Sequence, residues 1–136
     1  LQKISDSGDR VVYLDFAHAP SKVKATTESF KTWFGSKRLI AVLELHTFSS
    51  LNKDFITQYT GSLDPADEAI IFYNAHTLKM KNMPDLDHNF LKQCFRHPHL
   101  QVFTDEAALH TYLKTKTKDN ILLMTSGNFN QMALDF

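Results

Sequence analysis

The chain has 136 residues, of which 43% are hydrophobic and 12% aromatic, so it can bury the core of one domain and is not globally disordered. Its 15 Lys and Arg residues balance 15 Asp and Glu residues, which leaves no net field to attract nucleic acid or an anionic membrane. A single cysteine excludes an intramolecular disulfide framework and no apolar run is long enough to span a membrane, so we expect a cytoplasmic protein.

Strand-like and helix-like patterns alternate along the chain after the polar stretch 1–9, which is predicted to be a lead-in or a hairpin-like turn around Ser7-Gly8-Asp9. Apolar residues at helical spacing, including Val23, Phe30 and Trp33, are expected to face the core. The predicted strands cover 10–14, 38–43, 68–73, 100–103 and 121–124. The predicted helices cover 20–34, 52–63, 86–95, 104–118 and 129–136, whereas 74–84 is predicted to be irregular.

This repeated strand and helix order predicts an α/β fold, with a Rossmann-like open, mostly parallel β-sheet and helices on both faces. In such a sheet the carboxyl ends of all the strands lie at one edge, where ligands bind. The loops that begin at Asp15, Glu44 and Tyr73 are longer than a helix cap requires, and this favours a binding edge. Taken alone, Asp15 could still be a cap and His18 an ordinary loop histidine.

Several common sites are missing from the sequence. It contains neither Gly-x-x-x-x-Gly-Lys-Ser/Thr nor Gly-x-Gly-x-x-Gly, so any nucleotide chemistry must be shared with another domain. The seven histidines match no metal-binding spacing, and we expect no metal site. Cys94 lies on an apolar helix face, which is typical of core packing.

Three stretches, in order along the chain, resemble the carboxyl-terminal domain of the Mur ligases, the ATP-dependent enzymes of peptidoglycan assembly. The stretch 15–20 (Asp-Phe-Ala-His-Ala-Pro) is similar to the Asp-aromatic-Gly/Ala-His-x-Pro motif that opens that domain. The stretch 43–50 (Leu-Glu-Leu-His-Thr-Phe-Ser-Ser) takes the place of the family's second-strand loop, and 121–128 (Ile-Leu-Leu-Met-Thr-Ser-Gly-Asn) that of its final strand and glycine turn.

Within the family, the Asp-Phe-Ala-His form is most similar to the murein peptide ligases, which join UDP-N-acetylmuramate to the tripeptide L-Ala-γ-D-Glu-meso-diaminopimelate. The related L-alanine ligases carry arginines for the alanine carboxylate where this chain has Thr47 and Ser50. This difference argues against free alanine as the acceptor.

The resemblance implies that residues 1–136 are the acceptor-binding domain of a larger ligase, with 1–9 as the lead-in from a central ATPase domain. ATP and Mg²⁺ would be held mainly by that central domain, and the reaction would pass through an acyl phosphate. The implied partners are UDP-N-acetylmuramate, the murein tripeptide or L-alanine, and the amino-terminal and central domains. The isolated domain is expected to be inactive.

The resemblance also implies roles for single residues. Asp15 would contact the ATP ribose, together with an arginine that precedes position 1, and His18 would face the reacting centre. Lys79 and Lys81 would suit a distal carboxylate of the peptide. The full set of implied substrate-binding residues is His46, Thr47, Ser49, Ser50, Asn74, Lys79, Lys81, Ser126 and Asn128.

Two alternatives remain open at this point. One is an L-alanine ligase of the same superfamily. The other is a non-enzymatic, flavodoxin-like receiver module, which has a similar length and the same alternation of strands and helices. A receiver needs clustered acidic residues after its first strand and a lysine after its fifth, whereas here Asp15 has no acidic neighbour and 125–127 is Thr-Ser-Gly.

Overall fold

A computed structural model describes residues 1–47 and 49–136. The strands are β1 (Gln2–Asp6), β2 (Val11–Asp15), β3 (Leu39–Glu44), β4 (Glu68–Phe72), β5 (Leu100–Phe103) and β6 (Asn120–Met124). The helices are α1 (Pro20–Trp33), α2 (Lys53–Ile56), α3 (Ala75–Met80), α4 (His88–Phe95) and α5 (Glu106–Lys114). Short 3₁₀ turns follow at Thr57–Tyr59 and Phe129–Gln131.

The six strands form one sheet in the order β1-β2-β6-β3-β4-β5. The pairs β2–β6, β6–β3, β3–β4 and β4–β5 are all parallel, with Val12 opposite Ile121 and Leu39 opposite Asn120. The prediction of an open, mostly parallel sheet is therefore confirmed. As expected, the carboxyl ends of the five predicted strands lie at one edge.

The stretch 1–9 contains the predicted hairpin-like turn, but its first part is not a simple lead-in, because Gln2–Asp6 adds an antiparallel strand at the edge of the sheet. The chain reverses at Gly8, whose φ of 87° suits glycine and whose N–H donates to Asp6 Oδ1 at 3.0 Å. Most side chains of β1 are exposed. Backbone pairing with β2 is its main support, and for that reason the hydrophobic pattern does not reveal it.

Helices cover both faces of the sheet, as predicted. On one face, Phe30 of α1 and Phe95 of α4 pack with Tyr59 against β3, β4 and β6. On the other face, Leu109 and Leu113 of α5 form a second core. Strands β3, β4 and β6 are buried throughout, which explains their continuous apolar sequences.

The structure corrects several of these predictions. The predicted helix over 52–63 ends early, because only Lys53–Ile56 is α-helical before a 3₁₀ turn. The stretch 74–84 is not wholly irregular, since it contains α3. Trp33 lies at the end of α1 with 63% of its surface exposed, so it is not a core residue.

The last predicted helix, over 129–136, is absent, and a 3₁₀ turn at Phe129–Gln131 stands in its place. Phe129 is buried and packs on Phe72 of β4, with ring centroids 5.9 Å apart. Its backbone N–H donates to a side chain of β3. These tertiary contacts override the local helical pattern. No helix in the described part of the chain is long and apolar enough to cross a membrane.

Candidate functional site

The loops that follow β2, β6 and β3 meet at the carboxyl edge of the sheet, because these three strands are neighbours. The chain leaves β2 through α1 on one face of the sheet, whereas Phe129, after β6, packs into the core of the other face. Adjacent connections that diverge in this way open a crevice between them. The edge gathers Asp15 and His18 with the loops that contain His46 and Ser126.

Asp15, the last residue of β2, uses its two carboxylate oxygens differently. Its Oδ2 accepts hydrogen bonds from Ala17 N at 3.0 Å and Thr26 Oγ1 at 3.4 Å, which fixes the start of the loop. Its Oδ1 lies 3.1 Å from the amino nitrogen of Leu1. A cavity of about 350 Å³ opens beside this carboxylate and is lined by Asp15, Phe16, Ala17, His18, Lys22 and Thr26.

His18 lies between that cavity and a second one of about 260 Å³. Its Nδ1 is 2.8 Å from the backbone oxygen of Phe16. Because a carbonyl oxygen only accepts, this contact requires the proton on Nδ1 and leaves Nε2 for a ligand. The backbone oxygen of His18 is held by the hydroxyl of Tyr59.

Tyr59 forms the floor of this part of the site. Its ring is fully buried and stacks on Phe95 with centroids 5.2 Å apart. Burial raises the pKa of Tyr59 to about 12, because the phenolate would lose hydration. At neutral pH the hydroxyl is therefore a permanent donor to His18.

The loop after β3 is closed by Thr47 and Ser50. Thr47 N and Oγ1 lie 3.0 and 3.1 Å from Ser50 Oγ, and Ser50 N lies 3.1 Å from Thr47 Oγ1. Ser50 is buried, and its hydroxyl takes part in the turn itself. Ser49, by contrast, is exposed. Position 48, between Thr47 and Ser49, is outside the described residues.

Two cavities run along this loop. The cavity of about 260 Å³ is lined by His18, Ala19, Thr47, Ser49, Phe55 and Tyr59. The next, of about 460 Å³, is lined by Ser49, Asn52, Asp54, Phe55 and Gln58. Ser49 and Phe55 line both, so the two cavities adjoin beside α2, and we refer to them together as the groove along α2.

The loop after β6 supplies Ser126 and Asn128. The Ser126 hydroxyl oxygen is buried and has no hydrogen-bond partner within the described structure. Asn128 is exposed, and its side-chain oxygen accepts from Gln131 N at 3.2 Å. The three residues that follow Asn128 have φ values of 52°, 55° and 62°. Non-glycine residues rarely adopt this left-handed conformation, at about 1 kcal/mol or more each, so surrounding contacts must hold the turn.

Glu44 is a site residue that the sequence reasoning did not select. It ends β3, its side chain is only 3% exposed, and its Oε1 accepts from Thr125 Oγ1 at 2.6 Å and Phe129 N at 2.8 Å. Its Oε2 lies 4.0 Å from His46 Nδ1. The available signal was a carboxylate at the end of an otherwise apolar strand, where a buried charge needs partners.

The predicted residues after β4 lie farther from His18, since β4 is separated from β6 by β3. Asn74 caps α3, with its side-chain oxygen accepting from His76 N at 2.9 Å. Lys79 is exposed and Lys81 partly buried. The cavities around His18 are not lined by any of these three residues.

Within residues 1–47 and 49–136, no three His, Cys, Asp or Glu side chains lie close enough together to hold a metal ion. His97 is buried and bonded to the backbone, with Nε2 2.7 Å from Ala66 O, so it has a structural role. Cys94 is buried in the first core, as predicted. Burial raises the pKa of the Cys94 thiol, which disfavours the reactive thiolate.

Comparison with solved structures identifies proteins with the same fold. A domain assigned to a UDP-N-acetylmuramate:L-alanyl-γ-D-glutamyl-meso-diaminopimelate ligase from Haemophilus ducreyi matches with a TM-score of 0.66 and 22% identity, over 97% of this chain and 92% of that one. A murein peptide ligase from Psychrobacter arcticus matches with a TM-score of 0.73 and 20% identity, over 96% of this chain and 27% of that one.

Sequence comparison leads to the same family. The UDP-N-acetylmuramate–L-alanine ligase of Chlorobium chlorochromatii is 38% identical over 69 residues, which are 51% of this chain and 15% of that enzyme. The chain thus matches only a small part of this curated relative. The family described as Mur ligase, glutamate ligase domain, matches residues 1–129, and this replaces the receiver-module alternative. The chain therefore belongs to the Mur ligase family, as its carboxyl-terminal domain.

Proposed function

We propose that this chain is the acceptor-binding domain of an ATP-dependent ligase that joins UDP-N-acetylmuramate to L-Ala-γ-D-Glu-meso-diaminopimelate through an acyl phosphate. The observation that carries the proposal is the position of His18 between two cavities. One contains a strand-end carboxylate, and the other continues as a polar groove along α2. A domain that brings a nucleotide and an amine acceptor together needs these two adjoining surfaces.

On the nucleotide side, Asp15 would accept a hydrogen bond from a ribose hydroxyl through a second lone pair of Oδ1, which also lies 3.1 Å from the nitrogen of Leu1, since Oδ2 already accepts two hydrogen bonds from the chain. Lys22, in the first turn of α1, adds positive charge to the same cavity. ATP, when bound, supplies the phosphoryl group that activates the sugar carboxylate. ATP and Mg²⁺ would be held mainly by a preceding central domain, to which residues 1–9 would lead.

On the acceptor side, Thr47 and Ser49 would contact the incoming peptide, with His46, Ser126 and Asn128 around them. Ser50 would act by holding Thr47 in place, as their mutual hydrogen bonds suggest.

The length of the groove supports a peptide rather than a free amino acid. The acceptor amine would lie near His18, and the remainder of the peptide would follow the groove past Ser49 and Phe55. A tripeptide would use both cavities along α2, whereas alanine would use only the first. Asn74, Lys79 and Lys81 would meet the distal end of the peptide only if it extends towards α3.

His18 would orient the reacting groups through Nε2, since Nδ1 is bonded to the chain. Closure of this domain over the nucleotide would bring His18 to the acyl phosphate and exclude water from it. The main contributions of the domain would be proximity and orientation. We expect the isolated domain to be inactive, because the nucleotide loop and the sugar site lie in other domains.

The second candidate is an L-alanine ligase. The 38% identity to such a ligase over about half of the chain favours it. Against it, this chain has Thr47 and Ser50 where the resemblance places the arginines of those enzymes. Among the described residues, no lysine or arginine lines the cavity of about 260 Å³ between His18 and Phe55.

Phosphate release by the ligase that contains this chain distinguishes the two candidates. The enzyme receives ATP, Mg²⁺ and UDP-N-acetylmuramate, with L-alanine in one reaction and the tripeptide in the other. We expect release that depends on the tripeptide. Release with alanine alone would select the second candidate, and release with neither would reject both.

A further inference from the structure

We infer that Glu44 is a positioning residue of the acceptor pocket, which holds the loop after β6 and the ring of His46 in one arrangement. The inference rests on the proposed function for its substrate, an amine acceptor. Its geometry rests on the contacts among Glu44, His46, Thr125, Gly127 and Phe129.

A single carboxylate oxygen organises the loop after β6. Glu44 Oε1 accepts from Thr125 Oγ1 at 2.6 Å, at the start of the loop, and from Phe129 N at 2.8 Å, at its end. Thr125 Oγ1 in turn accepts from Gly127 N at 2.7 Å. The loop therefore wraps around Glu44, and the left-handed turn that begins at Phe129 is anchored by the same oxygen.

The second oxygen of Glu44 faces His46, with Oε2 4.0 Å from Nδ1. The imidazole also lies directly against Gly127, where an added Cβ would come within 2.9 Å of His46 Cδ2. The ring is thus confined between Glu44 and a position that accepts only glycine without movement. Through these contacts the loops after β3 and β6 form one surface.

The side chains of Glu44 and His46 differ in exposure, and this indicates different roles. The Glu44 side chain is only 3% exposed and does not reach a ligand, whereas the His46 side chain is 44% exposed. Replacement of a buried charged group by well-packed apolar residues is often neutral or stabilising, so stability alone is a weak reason for a carboxylate at this position. An effect of Glu44 on substrate would have to pass through His46 and the β6 loop.

Glu44→Gln tests this role. The amide oxygen still accepts from Phe129 N and Thr125 Oγ1, but an NH₂ donor replaces the acceptor that faces His46 Nδ1. We expect the KM for the acceptor to rise about tenfold in the intact ligase, with kcat and the KM for ATP changed less than about twofold. In the 136-residue domain, we expect the ¹⁵N chemical shifts of the His46 ring to change. A Haemophilus domain of similar extent has been solved by itself.

Two further variants separate positioning from stability. Glu68→Gln is the matched control, since Glu68 is also buried and accepts from Tyr112 and Gln101, but at the opposite edge of the sheet. We expect it to leave the acceptor KM unchanged. Gly127→Ala keeps Glu44 and displaces the His46 ring, so it should raise the acceptor KM as Glu44→Gln does, even if the latter folds poorly.

The inference is overturned if both Glu44→Gln and Gly127→Ala keep the wild-type acceptor KM, or if Glu68→Gln raises it equally. If the wild-type ligase uses neither acceptor, the proposed function fails. The ¹⁵N chemical shifts of the His46 ring in the 136-residue domain still test the inference. Unchanged His46 shifts in both variants would then reject it.

Discussion

The hydroxyl of Tyr59 donates a hydrogen bond to the backbone oxygen of His18, a residue 41 positions earlier in the chain. The Tyr59 ring is fully buried and stacks on Phe95 of α4. The position of the His18 backbone is therefore coupled to the packing of the core, and not only to the conformation of its own loop.

Tyr59→Phe removes this hydrogen bond but keeps the ring. We expect the free energy of unfolding to fall by about 1–2 kcal/mol, because His18 O loses its donor near the protein surface. Urea denaturation of the 136-residue domain measures this change. Tyr112→Phe is a suitable control, since it removes a hydroxyl bonded to Glu68 at the other edge. Ligation should slow only in Tyr59→Phe, and equal slowing in both variants would contradict a role for this contact in the site.

Alkaline pH should destabilise the wild-type domain through Tyr59. Burial raises its pKa to about 12 from 10.0, so the unfolded state releases the proton first. The contribution of the protonated Tyr59 hydroxyl to the free energy of unfolding is complete below about pH 10 and is lost as the pH rises to about 12. The loss is at most about 2–3 kcal/mol. Burial also raises the pKa of Tyr73 and Tyr112, which affects wild type and variant alike. The free energies of unfolding of wild type and Tyr59→Phe should therefore approach each other between pH 9 and 12. An equal loss of stability in the two proteins would show that Tyr59 is not the group responsible.

Asp15→Asn should weaken the use of ATP by the intact ligase. The amide keeps an oxygen for the loop but removes the charge and one acceptor from the ribose side. We expect the KM for ATP to rise about tenfold, with the KM for the acceptor unchanged. Asp105→Asn is the control, because Asp105 caps α5 at the same sheet edge through Ala107 N at 3.2 Å. Unchanged ATP kinetics in Asp15→Asn would remove the proposed ribose contact.

His18→Ala should slow ligation without unfolding the domain, because the side chain is partly exposed at the site and its hydrogen bond, to Phe16 O, is to its own loop. We expect kcat to fall about 10- to 100-fold, with smaller changes in KM. His99→Ala, an exposed histidine before β5, is the control. Single-turnover measurements would isolate the chemical step, and wild-type turnover by His18→Ala would show that the imidazole has no part in it.

Local sequence determined the central sheet and the position of the motif loop. The apolar runs at 39–43, 69–72 and 121–124 predict strands that are buried on both faces. A continuous apolar run can be recognised without knowing which strands lie beside it in the sheet. Pro20, the last residue of the motif, predicted the start of α1 correctly. Asp15 and His18 were placed at the carboxyl edge by this reasoning, and the structure confirms that position.

Weakly patterned elements depended on tertiary contacts. Strand β1 exposes most of its side chains and is held by pairing with β2, so the alternation of apolar residues could not predict it. Trp33 continues a helical stripe, but it is the last residue of α1 and remains 63% exposed, so helical spacing alone could not show that it is left uncovered.

The sequence by itself determined which segments are buried strands and which loops lie at the binding edge, because burial and periodicity are local properties of the chain. Only the tertiary structure decided that β6 lies between β2 and β3, which brings Thr125 to Glu44 across 81 residues. The same neighbourhood holds Phe129 in a left-handed turn where the local pattern predicts a helix. The hydrogen-bond partners of the buried Glu44 carboxylate come from the loop after the neighbouring strand β6, and the order of the strands depends on the whole fold.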